Sequence, residues 1–187
     1  MILRAEDYKR MPWKNGGGET LEIAIFPEDA AVGNFDWRIS MATVSVDGDF
    51  SLFPGIDRTI TILDGDAISL VIEGRPAVLL DQSSQPYAFP GDIKTSGHLR
   101  TGPIADLNVM VRRGLHHSVA RTDVRHLPEA LVGNSTQFLL ALEAIEFRLA
   151  GQEIALRRLD CIDLSGAAST DILAAQSAAG LLITIGR

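Results

Sequence analysis

Apolar and polar positions alternate along most of the chain, and alternation is the signature of strands, whose successive side chains point to opposite faces. In 37–46, Arg38, Ser40, Ala42, Val44 and Val46 share one face, while Trp37, Ile39, Met41, Thr43 and Ser45 take the other. In 58–63, Arg58, Ile60 and Ile62 share a face, opposite Thr59 and Thr61. These two runs read as strands facing each other, with Asp47-Gly48-Asp49 as the turn after the first. The run 19–26 sets Leu21, Ile23 and Ile25 against Thr20, Glu22 and Ala24, and 67–73 sets Ile68, Leu70 and Ile72 against Ser69 and Val71. In 106–113, Leu107, Val109 and Val111 oppose Asp106, Asn108, Met110 and Arg112. Runs at 2–4, 50–53, 77–80, 116–124, 137–147, 153–158, 161–164, 172–175 and 181–185 read as further strands. Short helical turns are expected at 5–10 and 128–132. Turns are expected at Pro54-Gly55, at 63–66 (a hairpin), and at 73–76, 89–92 and 150–152.

Many short strands with almost no helical periodicity predict an all-β sandwich or barrel. The segment 67–74, A-I-S-L-V-I-E-G, aligns without gaps on 144–151, A-I-E-F-R-L-A-G. Two jelly-roll-like halves fit that echo, and so does chance similarity between two hairpins. The expected division is an N-terminal half, 1–114, carrying the pocket and a C-terminal half, 115–187. Strand sharing between the halves, or one compact unit, is left open.

The alternation puts Arg58 on the apolar face of its own strand. A guanidinium heading into an apolar interior is costly unless it meets an anion or several acceptors. The basic residues are 14 Arg and only 3 Lys among 17, a bias that suits planar carboxylate recognition and equally reflects a GC-rich genome. The net charge of −7 argues against a nucleic-acid partner. The first residues carry acidic side chains and no apolar run, and no stretch approaches a membrane span, so a cytoplasmic protein with no membrane partner is expected. Cys161 reads as a small core residue.

Six blocks carry a resemblance: W-K-N-G-G-G-x-T-x-E-I from Trp13, F-D-W-R-I-S from Phe35, F-P-G-I-D-R from Phe53, L-x-G from Leu63, F-x-G-D from Phe89, and G-P-x-x-D-L-N-V-M-x-R-R from Gly102. In this order they resemble the HutD/Ves family of cupin-like proteins, over roughly the first 115 residues. The resemblance implies a bicupin, two jelly-roll-like β-barrels in one chain. For the HutD branch it implies a small-molecule binding protein that tunes histidine utilisation, with N-formylglutamate or urocanate as ligand and no established catalysis. For the Ves branch it implies a role in stress or cold response. The branch is left open. Carried over residue by residue, Arg58 becomes the carboxylate anchor. Trp13, Lys14, Asn15 and the glycines 16–18 form the mouth, Thr20, Glu22, Arg38 and Ser40 line the wall, and Asn108 contributes from the facing strand.

Plain structural roles stand beside these. Arg58 is equally able to pair with Asp57, Asp36 or Asp92, and Arg38 with Glu22. Trp13 fills a core as readily as it walls a pocket. Asn15 suits an amide or formyl group, or a turn before glycine. The chain has four histidines, His98, His116, His117 and His126, and none forms His-x-His. His116 and His117 are adjacent, so on a strand they point apart. No metal or other cofactor is therefore expected, and no Ser/His/Asp arrangement is evident. The leading reading is a metal-free binder of a small acidic metabolite, for which a homodimer is admitted. The alternatives are a metal-independent enzyme using Glu22 as acid/base, and a stress-related protein-interaction module.

Overall fold

The structure of the chain is a computed structural model that describes residues 1–127, 135–168 and 171–186. It divides into two compact units, Lys9–Arg113 on the one hand and Met1–Tyr8 with Gly114–Arg187 on the other.

The Lys9–Arg113 unit has two antiparallel sheets. The larger runs in the order Lys9–Pro12, Gly18–Phe26, Trp37–Val44, Ile104–Arg112, Ile56–Asp64, Tyr87–Pro90. The smaller runs Gly48–Asp49, Thr95–Leu99, Ala67–Ile72, Val78–Asp81. Two sequence expectations change here. Trp37–Val44 and Ile56–Asp64 are not neighbours, because Ile104–Arg112 lies between them and is hydrogen-bonded to both. The expected hairpin at 63–66 is instead a corner, since Ile56–Asp64 and Ala67–Ile72 belong to different sheets. Gly65 makes that corner at φ +88°, where a Cβ would lie 2.5 Å from the Pro103 carbonyl oxygen.

Other departures are local. Residues 50–53 form no strand; the Phe50 and Phe53 amides donate singly to the Thr95 and Gly91 carbonyls. The strand Thr95–Leu99 (T-S-G-H-L) lacks the apolar alternation that would announce it. Lys9–Pro12 replaces the end of an expected helical turn, of which the 3₁₀ turn Ala5–Asp7 remains; its proline sits on an edge strand, where a missing N–H is tolerated. A bulge between Glu22 and Ala24 shifts the register, so Ile25 pairs with Arg38 and leaves the face of Leu21.

The second unit also has two antiparallel sheets. The larger is Ile2–Leu3, Cys161–Asp163, Thr136–Ala141, Ala179–Gly186, His116–Asp123; the smaller is Gln152–Leu156, Ile145–Leu149, Ile172–Leu173. The run 137–147 breaks into two strands in different sheets. The expected turn at 128–132 lies outside the described residues.

Seven strands follow one plan in both units. Leaving out the two-residue Gly48–Asp49 and counting from Trp37–Val44 in one unit and His116–Asp123 in the other, the first pairs with the seventh, the seventh with the second, and the second with the fifth. In the smaller sheet the third is flanked by the fourth and sixth. The sequence echo falls on the third strand of each, and each is followed by a turn with glycine at positive φ, Gly74 at +75° and Gly151 at +83°.

Between the sheets of the second unit, Val124, Leu139, Ala141, Ile145, Phe147, Leu156, Ile162 and Leu164 form an apolar core. Each large aliphatic or aromatic side chain among them contributes about 1.5–3 kcal/mol by leaving water. In the Lys9–Arg113 unit, Ile60, Ile62, Ile68, Leu70, Ile72, Leu80 and Ile104 do the same. Arg38, Ser40, Arg58, Asp106 and Asn108 are buried in that unit too.

Candidate functional site

Register builds the site. On Ile104–Arg112, Met110 pairs with Arg38 on one side and Arg58 on the other. Asn108 pairs with Ser40 and Ile60, and Asp106 with Ala42 and Ile62. Laterally paired residues share a face, so two arginines, a serine, an asparagine and an aspartate converge on one wall. They line a cavity of about 740 Å³, together with Met11, Trp13, Lys14, Asn15, Thr20, Phe50, Phe53 and Met110.

Arg58 is 6% exposed. Its guanidinium carbon lies 4.9 Å from the Phe50 ring centre and 5.4 Å from that of Phe89, within cation–π range. Phe89 is its cross-strand partner. The side chain needs the glycine at 91, where a Cβ would come within 3.2 Å of Arg58 Cγ. Arg58 Nη2 donates to Asn108 Oδ1 at 2.6 Å, while the buried Nε has no partner. Burial pulls the Arg58 pKa down to about 10; Asp106 opposes that pull and the positive charge of Arg38 reinforces it. The group is therefore a cation at neutral pH with part of its fork unused. None of the aspartates expected as its partners is one: Asp57 and Asp92 are bound by Arg113 at 3.0 and 2.9 Å, and Asp36 by Arg112 at 3.1 Å.

Asp106 is fully buried. Its Oδ1 accepts from Asn108 Nδ2, and its Oδ2 has no partner. Burial pushes its pKa up to about 7, against the pull of Arg58. Sequence reasoning named Asn108 and passed over Asp106, although the alternation had already put both on one face. Phe50 and Phe89 were missed as well: the sequence put them in a short strand at 50–53 and a turn at 89–92, and the structure puts Phe89 in the strand Tyr87–Pro90.

Glu22 does not line the cavity. It accepts from Arg38 Nε at 2.7 Å and lies 4.0 Å from Lys9 Nζ. It therefore holds Arg38 in place and is not itself among the residues that line the cavity. Arg38 Nη2 lies 4.0 Å from Met11 Sδ. Trp13 Nε1 donates to Thr20 Oγ1 at 2.9 Å. The Trp13 ring packs so close to Gly18 that a Cβ there would lie 3.1 Å from it and 2.0 Å from the Thr43 carbonyl oxygen. Asn15 Oδ1 accepts from the Gly17 amide at 3.0 Å, a turn role, and Lys14 is exposed at the mouth.

A Ser/His/Asp chain does occur, contrary to the sequence reading. Ser96 Oγ lies 3.2 Å from His98 Nε2, and His98 Nδ1 lies 3.1 Å from Asp47 Oδ2. Ser96 and His98 flank Gly97 on one strand, and it is Gly97 that lines the cavity, so both side chains take the opposite face. Their histidine is half exposed, where water competes for every bond a nucleophile would need. Cys161 is fully buried and its thiol pKa is pushed up by burial, as befits a core residue. Among the described residues no cluster of three or more His, Cys, Asp or Glu side chains is placed to hold a metal, and no helix is long and apolar enough to cross a membrane.

The HutD family model matches residues 5–182, well past the 115 residues on which the resemblance was read. An uncharacterised 21.2 kDa protein in the hutC 3′ region of Pseudomonas putida is 37% identical over 168 residues, 88% of this chain and 86% of that one. Protein Ves of Citrobacter koseri is 43% identical over 112 residues, 57% of this chain and 56% of its own. The solved structure of HutD from Pseudomonas fluorescens SBW25, from a formate condition, superposes with a TM-score of 0.73 at 29% identity, covering 100% of this chain and 96% of that one. The fold is all-β and cupin-like. With the family match spanning both units, the chain belongs to the HutD family.

Proposed function

We propose that this protein is a metal-free binder of a small acidic metabolite, anchored at Arg58, that modulates histidine utilisation in the cytoplasm. One observation carries the reading: a buried guanidinium at a cavity wall has an Nε with no acceptor. Buried polar groups in folded proteins are nearly always paired, and a ligand carboxylate is the acceptor that fits a planar fork. The relatives' names, HutD and the hutC 3′ region, supply the metabolic setting, with N-formylglutamate and urocanate as the first ligands to try. The shared seven-strand plan supports reading the chain as a bicupin, in which the Lys9–Arg113 half keeps the pocket.

The test is thermal shift with each acid on wild type and Arg58→Ala. Ligand should raise the melting temperature of wild type and leave the folded variant unmoved. Equal shifts in both proteins would remove Arg58 as the anchor. A second reading, metal-independent catalysis on a small carboxylate, is favoured by Asp106, whose pKa near 7 suits acid/base work. Product formed by metal-stripped protein, and lost in Asp106→Asn, would select it.

A further inference from the structure

Resting on the carboxylate reading above, we propose that Asp106 determines specificity: its free Oδ2 accepts a hydrogen bond from an N–H or O–H of the ligand. The cavity would then select small carboxylates that carry such a donor over those that do not.

Three observations carry this. Asp106 is fully buried yet lines the cavity, and one of its two oxygens is unpaired. Its lateral neighbours in the sheet, Ala42 and Ile62, are apolar and offer no side-chain donor. Asn108, the polar residue beside it, is engaged at both ends: its oxygen accepts from Arg58 and its nitrogen donates to Asp106 Oδ1. Asn108 is therefore a spacer, and it sets the measure of the ligand. A single amide group spans the gap from the guanidinium to the aspartate. A molecule lying along it presents its carboxylate to Arg58 and, a few bonds away, a donor to Asp106 Oδ2. The two unpaired buried atoms, Arg58 Nε and Asp106 Oδ2, need opposite partners, and one donor-bearing acid supplies both.

Calorimetric titration at pH 8 with N-formyl-L-glutamate and with glutarate, which has the same five-carbon diacid backbone without the formylamino group, tests this. Wild type should prefer N-formylglutamate by about tenfold or more, because a site built around a hydrogen bond rejects the analogue lacking it. Asp106→Asn keeps the shape, and with its oxygen held by Asn108 it turns an NH₂ towards the ligand. It should shrink the preference to about twofold or less. Wild-type affinities within twofold of each other overturn the proposal, and so does an unchanged ratio in the variant. The wild-type ratio decides the matter if the variant does not fold. Glutarate binding that Arg58→Ala abolishes, without any preference for the donor, leaves the carboxylate reading standing and removes only Asp106. Failure of both acids to bind wild type removes both.

Discussion

The two units share a strand plan and differ in what they enclose. Where the larger sheet of the second unit places Leu139, Ala141 and Ile162 inside, that of the Lys9–Arg113 unit places Arg38, Arg58, Asn108 and Asp106. One interior is filled with hydrocarbon, which stabilises by leaving water and packing closely. The other holds a cation and an acid with an unpaired atom each, an arrangement that costs stability unless something completes it. The same framework thus encloses an apolar core in one unit and a cavity with a polar wall in the other. What separates them is a handful of inward positions, not topology.

The largest expected effect sets the two interiors directly against each other. Leu139→Ala in the filled core should lose about 2–5 kcal/mol in urea unfolding at pH 7. Arg58→Met should cost less, about 1 kcal/mol, since a desolvated charge leaves with the fork while Asn108 Oδ1 loses its donor. An Arg58→Met loss as large as that of Leu139→Ala would mean the cation is structural.

Next comes pH. Asp106 has a folded pKa near 7, above the ordinary 3.8, so between these values the folded state holds a proton that the unfolded state has lost. Stability should therefore be fully present below about pH 4 and fall, by an amount of the order of a few kcal/mol, as pH rises to 7. Melting curves at pH 5 and pH 8 on wild type and Asp106→Asn check this: the variant should flatten the slope. Arg58→Lys keeps the charge and loses the fork, and should weaken carboxylate binding by about tenfold. Glu22→Gln leaves the buried Arg38 cation without its counter-charge, so it should weaken binding by about two- to fivefold and cost about 3 kcal/mol in unfolding. The smallest effect belongs to the exposed pair Arg148–Glu153, 3.2 Å apart: Arg148→Ala should shift unfolding by less than about 0.5 kcal/mol.

The sequence carried the local half of this picture. Alternation alone joined Arg38 to Ser40, Arg58 to Ile60, and Asp106 to Asn108, and each grouping is kept in the structure. What it lacked was lateral order. That Ile104–Arg112 inserts between two earlier strands is a long-range pairing with no local signal. Nor could it say which face is inward, because residues on both faces of Trp37–Val44 and Ile104–Arg112 are buried. Ile25 changed faces because one bulged residue inverts every position after it, whereas Glu22, just before the bulge and in register with Ser40, is held by Arg38. Phe50 and Phe89, which both pack against the guanidinium, come from a loop and a four-residue strand, whose pairing the sequence does not announce.

The most direct test is a crystal structure of the wild-type protein soaked with a small carboxylate. Two carboxylate oxygens about 2.7–2.9 Å from the Arg58 guanidinium, with Nε donating to one of them, is the predicted result. An ordered carboxylate bound elsewhere in the cavity, with Arg58 Nε still unpaired, would contradict it.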